Sequence, residues 1–195
     1  NIIKKNKLKI IDVNFNEING GSAEVVVVKS TSKEQANLKK INKIFNEEKL
    51  INENSYKRFN LRLENVKKVI NHFLENTNKK IVGYGASTKG NIILNHCRIN
   101  SKKIKIIGDG NSQKWGRYTP GSNIKIISKK EMHKHKPDYL FVLIWSFRSE
   151  VIKQEKNFLL RGGKLILPLP IFHIIDKDNY KYYLKHNLNS FGYNI

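Results

Sequence analysis

The chain of 195 residues carries 37 basic against 16 acidic side chains, a net charge of +21. That length holds one ordinary domain with appendages, and no run approaches the ~20 apolar residues of a membrane-spanning helix. Cys97 is the only cysteine, which excludes an internal disulfide and points to a reducing, cytoplasmic setting in which a small buried thiol is the ordinary role.

The basic excess is mostly lysine. The arginines are Arg58, Arg62, Arg98, Arg117, Arg148 and Arg161, and the lysines are scattered along the chain among Asn and Ile. Nucleic-acid binders concentrate charge on one face and use arginine for bidentate contacts. The pattern therefore disfavours nucleic acid as the partner, and a basic nucleic-acid or protein-binding module stays as a secondary alternative.

The sequence opens on Asn1 rather than Met, and the expectation is a fragment of a longer polypeptide. Residues 1–31 read as a β-hairpin: Ile10, Ile11 and Val13 precede the turn Asn19-Gly20-Gly21-Ser22, and Val25 to Val28 follow it. An isolated hairpin is marginal in water, so these strands are expected to belong to a larger sheet encoded upstream. Residues 32–78 read as a helical connector. Leu38, Ile41, Ile44 and Phe45 keep a three-to-four spacing, and Phe59, Leu63, Val66, Ile70 and Phe73 resume it after an Asn-rich break at Asn52–Ser55.

Residues 79–176 alternate strand and helix. Lys80–Tyr84, Ile104–Ile107, Lys125–Ile127, Tyr139–Trp145 and Lys164–Leu167 read as strands, and Thr88–Arg98 and Ser149–Leu160 as helices. Ser128 with Glu131 forms a capping box for a short helix between them. The fold class expected is α/β: a Rossmann-like open, mostly parallel sheet with helices on both faces, preceded by the hairpin and the helical connector. Residues 177–195 form an aromatic and polar tail.

The chemistry concentrates in KKIVGYGASTKGNIILN, from Lys79 to Asn95. In a doubly wound sheet ligands sit at the carboxyl ends of the strands. Gly83 permits a tight turn, Gly85 lets a ligand approach the backbone, and Gly90 follows in the helix. The helix opening near Thr88 presents N–H groups and a positive dipole end, a ready place for a phosphate. Ser87 and Thr88 add hydroxyls, and Lys89 adds a charge.

The spacing fits no standard loop. A Walker A turn ends in Gly-Lys-[ST], and the dinucleotide fingerprint places its third glycine where Thr88 stands. An NAD(P)- or nucleotide-binding oxidoreductase module is thus the competing reading, with Asp109 near the position of a ribose-binding acid. Downstream, Lys114, Arg117 and the aromatics Trp115 and Tyr118 crowd one loop, where Arg117 is suited to clamping a phosphate. Trp145-Ser146 closes an apolar strand at the same edge. His133 and His135 lack cysteines or carboxylates at metal spacing; they read as surface residues, and no metal site is expected.

GYGASTKGN, IIGDGNSQKWGRYTPGSNIKI, KPDYLFVLIWSF and RGGKLILPLP, in this order over Lys79–Phe172, together resemble the C-terminal domain of nucleotide-sugar C-methyltransferases. In that family a zinc-binding domain and a central S-adenosylmethionine domain precede this module. The hairpin resembles the end of the central domain.

The resemblance implies a domain that helps hold a nucleotide-diphosphate deoxysugar against the upstream methyltransferase domain. Its substrate contacts would come from Gly83, Tyr84, Gly85, Ser87, Thr88, Lys89, Gly90, Asn91, Asp109, Lys114, Arg117 and Trp145. S-adenosylmethionine would be bound mainly by the upstream domain, and this stretch alone would bind no cofactor and transfer no methyl group. No catalytic residue is assigned. Asn19 stands where several members have His, and an amide is no general base. Ala23-Glu24 replace a more usual Leu-Arg, and Trp145-Ser146 a commoner Trp-Asn. These departures leave open another sugar or another acceptor atom.

Overall fold

The computed structural model describes residues 2–16 and 21–186. Asn19 and Gly20 of the hairpin turn, and residues 187–195 of the tail, lie outside the described residues. The chain divides into two compact units, Asn1–Leu61 and Arg62–Ile195.

In the first unit, a short helix α1 (Ile2–Lys5) leads into strands β1 (Leu8–Asn16) and β2 (Ser22–Lys29). They pair antiparallel from Leu8↔Lys29 to Asn16↔Ser22, with an irregularity between Ile10 and Asp12. Helix α2 (Leu38–Lys49) is capped by Asn37, whose side chain accepts from the Lys40 N–H. Lys40 reaches back to Asp12 at 3.1 Å. Val13 and Ile41 are buried here, whereas the successive Val25, Val26 and Val27 stay 37–44% exposed. Successive strand residues face opposite sides, so both faces of β2 lack cover within the unit.

Helix α3 (Glu53–Asn76) spans the division between the units. The helical stretch of the sequence is thus two helices, interrupted around Leu50–Asn52.

The second unit is built on a six-stranded sheet. Its members are β3 (Ile81–Tyr84), β4 (Ile106–Asp109), β5 (Lys125–Ser128), β6 (Tyr139–Val142), β7 (Lys164–Leu167) and β8 (His173–Ile175). The spatial order is β5-β4-β3-β6-β7-β8. The pairs from β5 across to β7 are parallel, and β8 is antiparallel to β7. Helices α4 (Thr88–His96), α5 (Lys129–Lys134), α6 (Arg148–Gln154) and α7 (Lys156–Leu160) lie in the connections between strands, and α8 (Tyr180–Lys185) follows β8. The α/β class with a mostly parallel sheet is as the sequence alternation implies.

Strand periodicity sorts the core into two layers. Val82, Tyr84, Leu140, Val142, Leu165 and Leu167 pack on one face with Met132, Val151, Ile152 and Leu159 of α5 to α7. Phe141, Leu143, Ile166 and Ile107 pack on the other with Ile70 of α3, Ile93 and Leu94 of α4, and Cys97. Apolar runs that bury both alternations are what a two-sided parallel sheet requires. Cys97 is fully buried, and burial pushes its thiol up to about 11.

Three local readings need correction. The strand expected over Tyr139–Trp145 ends at Val142, and Trp145–Phe147 forms a 3-10 turn. The helix expected over Ser149–Leu160 is two helices meeting at Glu155. His133 is not simply a surface residue: its Nε2 lies 2.9 Å from the buried Glu155 Oε2. Ser128 does cap α5, its Oγ accepting from the Glu131 N–H at 3.1 Å.

Candidate functional site

Strand β3 is the pivot of the sheet. One connection leaves it through α4 toward β4, and the chain later returns through α5 to β6 on its other side. Such a switch point opens a crevice outside the carboxyl ends of the strands. The turn after β3 sits there, facing the loop after β4 on one side and the end of β6 on the other.

The three glycines of this turn do different jobs. Gly85 has φ +82, a left-handed conformation that favours glycine, and a Cβ there would lie 2.8 Å from Ile144 Cγ2. Gly83 is flush against Ile107, and Gly90 against Leu143, where a Cβ would meet the Leu143 Cβ at 2.5 Å. Gly90 therefore performs the close helix-to-strand packing that the third glycine of a dinucleotide fingerprint provides, two residues later than that fingerprint places it.

Asp109, at the end of β4, is the hub of the site. It is only 7% exposed, and its carboxylate faces inward. Oδ2 accepts from the Ala86 N–H at 2.7 Å, and Oδ1 accepts from the Asn111 N–H at 2.8 Å. Lys114 Nζ donates to Asp109 Oδ2 at 3.3 Å and to the Ala86 carbonyl at 2.8 Å. Trp115 Nε1 donates to the Asp109 carbonyl at 2.9 Å. The anion held by the backbone of the glycine turn is thus the protein's own carboxylate, and Lys114 neutralises it.

Ser87 ties the turn to β6. Its Oγ donates to the Leu143 carbonyl at 3.1 Å and accepts from the Gly90 N–H at 2.9 Å, capping α4. Beyond this cap Thr88 and Lys89 stand exposed at the first turn of α4. The loop after β4 folds back along β5: the Ile126 N–H donates to the Arg117 carbonyl at 2.8 Å, and Asn95 of α4 donates to the Pro120 carbonyl at 3.1 Å. Arg117 and Tyr118 are left exposed on it.

The residues singled out in the sequence therefore fall into three groups. Thr88, Lys89 and Arg117 are exposed; Ser87, Asn91, Lys114 and Trp145 are half-buried; Gly83, Tyr84, Gly85, Gly90 and Asp109 are buried. Tyr84 is buried in the core layer that packs under α5 to α7. Its hydroxyl donates to Gln154 Oε1 at 2.9 Å and accepts from Lys129 Nζ at 2.6 Å. Burial, with the nearby Glu155, pushes this phenol above its ordinary range. Sequence reasoning missed Ala86, Lys129, Gln154 and Glu155. Lys129 had a signal: it follows the Ser128 cap at the carboxyl end of a strand.

Residues 17–170 match the family described as C-methyltransferase C-terminal domain. The chain belongs to this family. It is 29% identical over 184 residues to the C-methyltransferase NovU of Streptomyces niveus, covering 91% of this chain and 44% of that protein. The chain thus spans less than half the length of this relative. Among the described residues no helix is long and apolar enough to cross a membrane, and no group of three or more His, Cys, Asp and Glu residues is placed to hold a metal ion.

Proposed function

We propose that this chain is the C-terminal, substrate-side domain of an S-adenosylmethionine-dependent sugar-nucleotide methyltransferase, and that its carboxyl-edge crevice helps hold a nucleotide-diphosphate deoxysugar. The family match over residues 17–170 carries the reading. The exposed first turn of α4 with Lys89, and Arg117 on the facing loop, supply the N–H groups and positive charge that a diphosphate takes. Residues 1–31 are the end of an upstream methyltransferase domain, 32–78 a connector, 79–176 the substrate-side domain and 177–195 a tail. The uncovered valines of β2 support the first assignment, as does the relative's greater length. The setting is cytoplasmic.

The second unit does not fit S-adenosylmethionine or a dinucleotide in the usual manner. Their ribose hydroxyls take a carboxylate at the end of the second strand, and Asp109 has both oxygens engaged by Ala86, Asn111 and Lys114. S-adenosylmethionine, bound upstream, would supply an electrophilic methyl group. This chain's contribution is to bind and orient the sugar nucleotide, and methyl transfer requires the upstream domain.

Calorimetric titration with dTDP, UDP and GDP at low and moderate salt tests the proposal, with S-adenosylmethionine and NAD as controls. One diphosphonucleoside is expected to bind at moderate salt and to weaken on Lys89→Ala or Arg117→Ala. Tight NAD binding, or no loss in either variant, would refute it.

A further inference from the structure

The opposite edge of the same sheet carries a second feature, independent of the crevice. A groove of about 440 Å³ runs beneath the starts of β3 and β4, lined by Lys79, Lys80, Lys102, Lys103, Lys105 and His135. Five of its nine lining residues are lysine and none is acidic, although lysine and arginine make up only 37 of 195 residues in the chain. The clustering exceeds what the basic composition alone would place there.

The lysines differ in how they are employed. Lys103 is committed to α3, donating to Asn71 Oδ1 at 3.0 Å and to Glu75 Oε1 at 3.1 Å. Among the described residues the ammonium groups of Lys79, Lys80, Lys102 and Lys105 have no carboxylate within ion-pair distance. His135 adds a further polar group, and past it α5 carries Lys130 and Lys134 beside Glu131. Ammonium groups gathered over one concavity repel one another and raise the local potential, which a multivalent anion relieves.

The floor of the groove is Ile81, Val82 and Ile106, so its base offers apolar contact rather than competing hydrogen bonds. Its volume lies in the range of small-molecule sites, roughly 300–1,000 Å³. A long anionic backbone fits less well. The lining has no arginine, and two carboxylates stand beside it: Glu75 on Lys103, and Asp138, whose Oδ2 accepts from the Lys80 N–H at 2.8 Å.

We propose that this groove binds a small polyphosphate, a ligand with two or more linked phosphate groups, held by Lys79, Lys80, Lys102 and Lys105. A single phosphate meets at most part of the cluster, whereas linked phosphates span it.

The test is titration of the full-length protein with sodium tripolyphosphate, ATP and orthophosphate at two salt concentrations. Tripolyphosphate should bind more tightly than orthophosphate, and a Lys79→Gln, Lys102→Gln, Lys105→Gln triple variant should lose about tenfold or more in affinity. A Lys153→Gln, Lys156→Gln pair, exposed on α6 and α7 and outside the groove's lining, should leave that affinity within about twofold. Because the three lysines are exposed, the variant should keep the parent's thermal melting curve, which verifies that it folds. Whichever of ATP and tripolyphosphate binds more tightly, the triple variant's loss supports the site, and the order tells a nucleoside ligand from an inorganic one. Unchanged affinity in the triple variant overturns the proposal, as does equal binding of orthophosphate. An RNA oligomer that outcompetes tripolyphosphate through these lysines would also overturn it, by making the ligand a nucleic-acid backbone.

Discussion

Replacing Asp109 tests whether one carboxylate holds the two loops of the carboxyl edge together. In Asp109→Ala the half-buried Ala86 N–H loses a charge-assisted bond of 2.7 Å, a loss worth about 1.5–3 kcal/mol. The Asn111 N–H, on an exposed residue, turns to water and adds little. The ion pair with Lys114, whose side chain is 39% exposed, contributes about 0–1 kcal/mol. Together these give a destabilisation of about 1.5–4 kcal/mol for Asp109→Ala. Asp109→Asn, which keeps one acceptor, should fall nearer the lower end. Lys114→Met should cost no more than about 1 kcal/mol, since its ammonium is partly solvated. Urea unfolding followed by far-ultraviolet circular dichroism measures all three, provided the slope against denaturant stays constant. If Asp109→Ala costs less than about 0.5 kcal/mol, the carboxylate does not serve the Ala86 N–H and the account of the site fails.

Gly90→Ala places a Cβ 2.5 Å from Leu143 Cβ and 2.9 Å from the Leu143 carbonyl oxygen. The overpacking, about 1–3 kcal/mol or more, should outweigh the ~1 kcal/mol that alanine gains in a helix. Gly110→Ala is the control: its Cβ would meet only Lys129 Cε at 3.9 Å, and its melting temperature should hold or rise, so equal effects at both positions would refute the packing argument. Burial pushes the Cys97 thiol up to about 11, so iodoacetamide should leave the native protein unlabelled at pH 8 and label it in urea. Rapid native labelling would contradict the buried placement. Burial also holds the His173 imidazole below its ordinary value of 6.5, so the folded state takes up that proton less readily than the unfolded chain. Stability should be full above 6.5 and decline as the pH falls below it, and the decline should be shallower in His173→Gln; an identical slope would show that His173 does not contribute.

The order of strands and helices in the second unit was legible because each alternation has a local cause. Apolar runs of strand length are separated by glycine turns, a Ser cap, or Gly162-Gly163. What was not legible depends on neighbours in space. The run Tyr139–Trp145 is apolar throughout, yet β6 ends once β3 ends beside it: the Leu143 N–H donates to the Tyr84 carbonyl at 2.9 Å, and the backbone then turns at Ile144. A strand's length is set by what it pairs with, not by its own hydrophobicity. β8 has only three residues and lies close after Pro168 and Pro170, too short for periodicity to register. The break between α6 and α7 falls at Glu155, whose carboxylate is drawn to His133, a partner on another helix.

The site shows the same division between what a chain carries and what its neighbours decide. The glycine spacing marked the turn, and the residue types marked its charges. Which anion the turn's backbone holds depended on whether Asp109 faces outward or inward. One clue was local: in Asp109-Gly110-Asn111 the carboxylate accepts from the N–H two residues on, the habit of aspartate in turns. That bond fixes one oxygen and, with it, the plane of the group. The second oxygen is then aimed across at Ala86, a placement that requires β3 and β4 to be adjacent and parallel. An aspartate so engaged makes the turn rigid and withdraws itself from ligand binding. Recognition at this edge then rests on groups that remain outside the hub, the first turn of α4 and the Arg117 loop, and that is why Lys89 and Arg117, rather than Asp109, are the informative substitutions for binding.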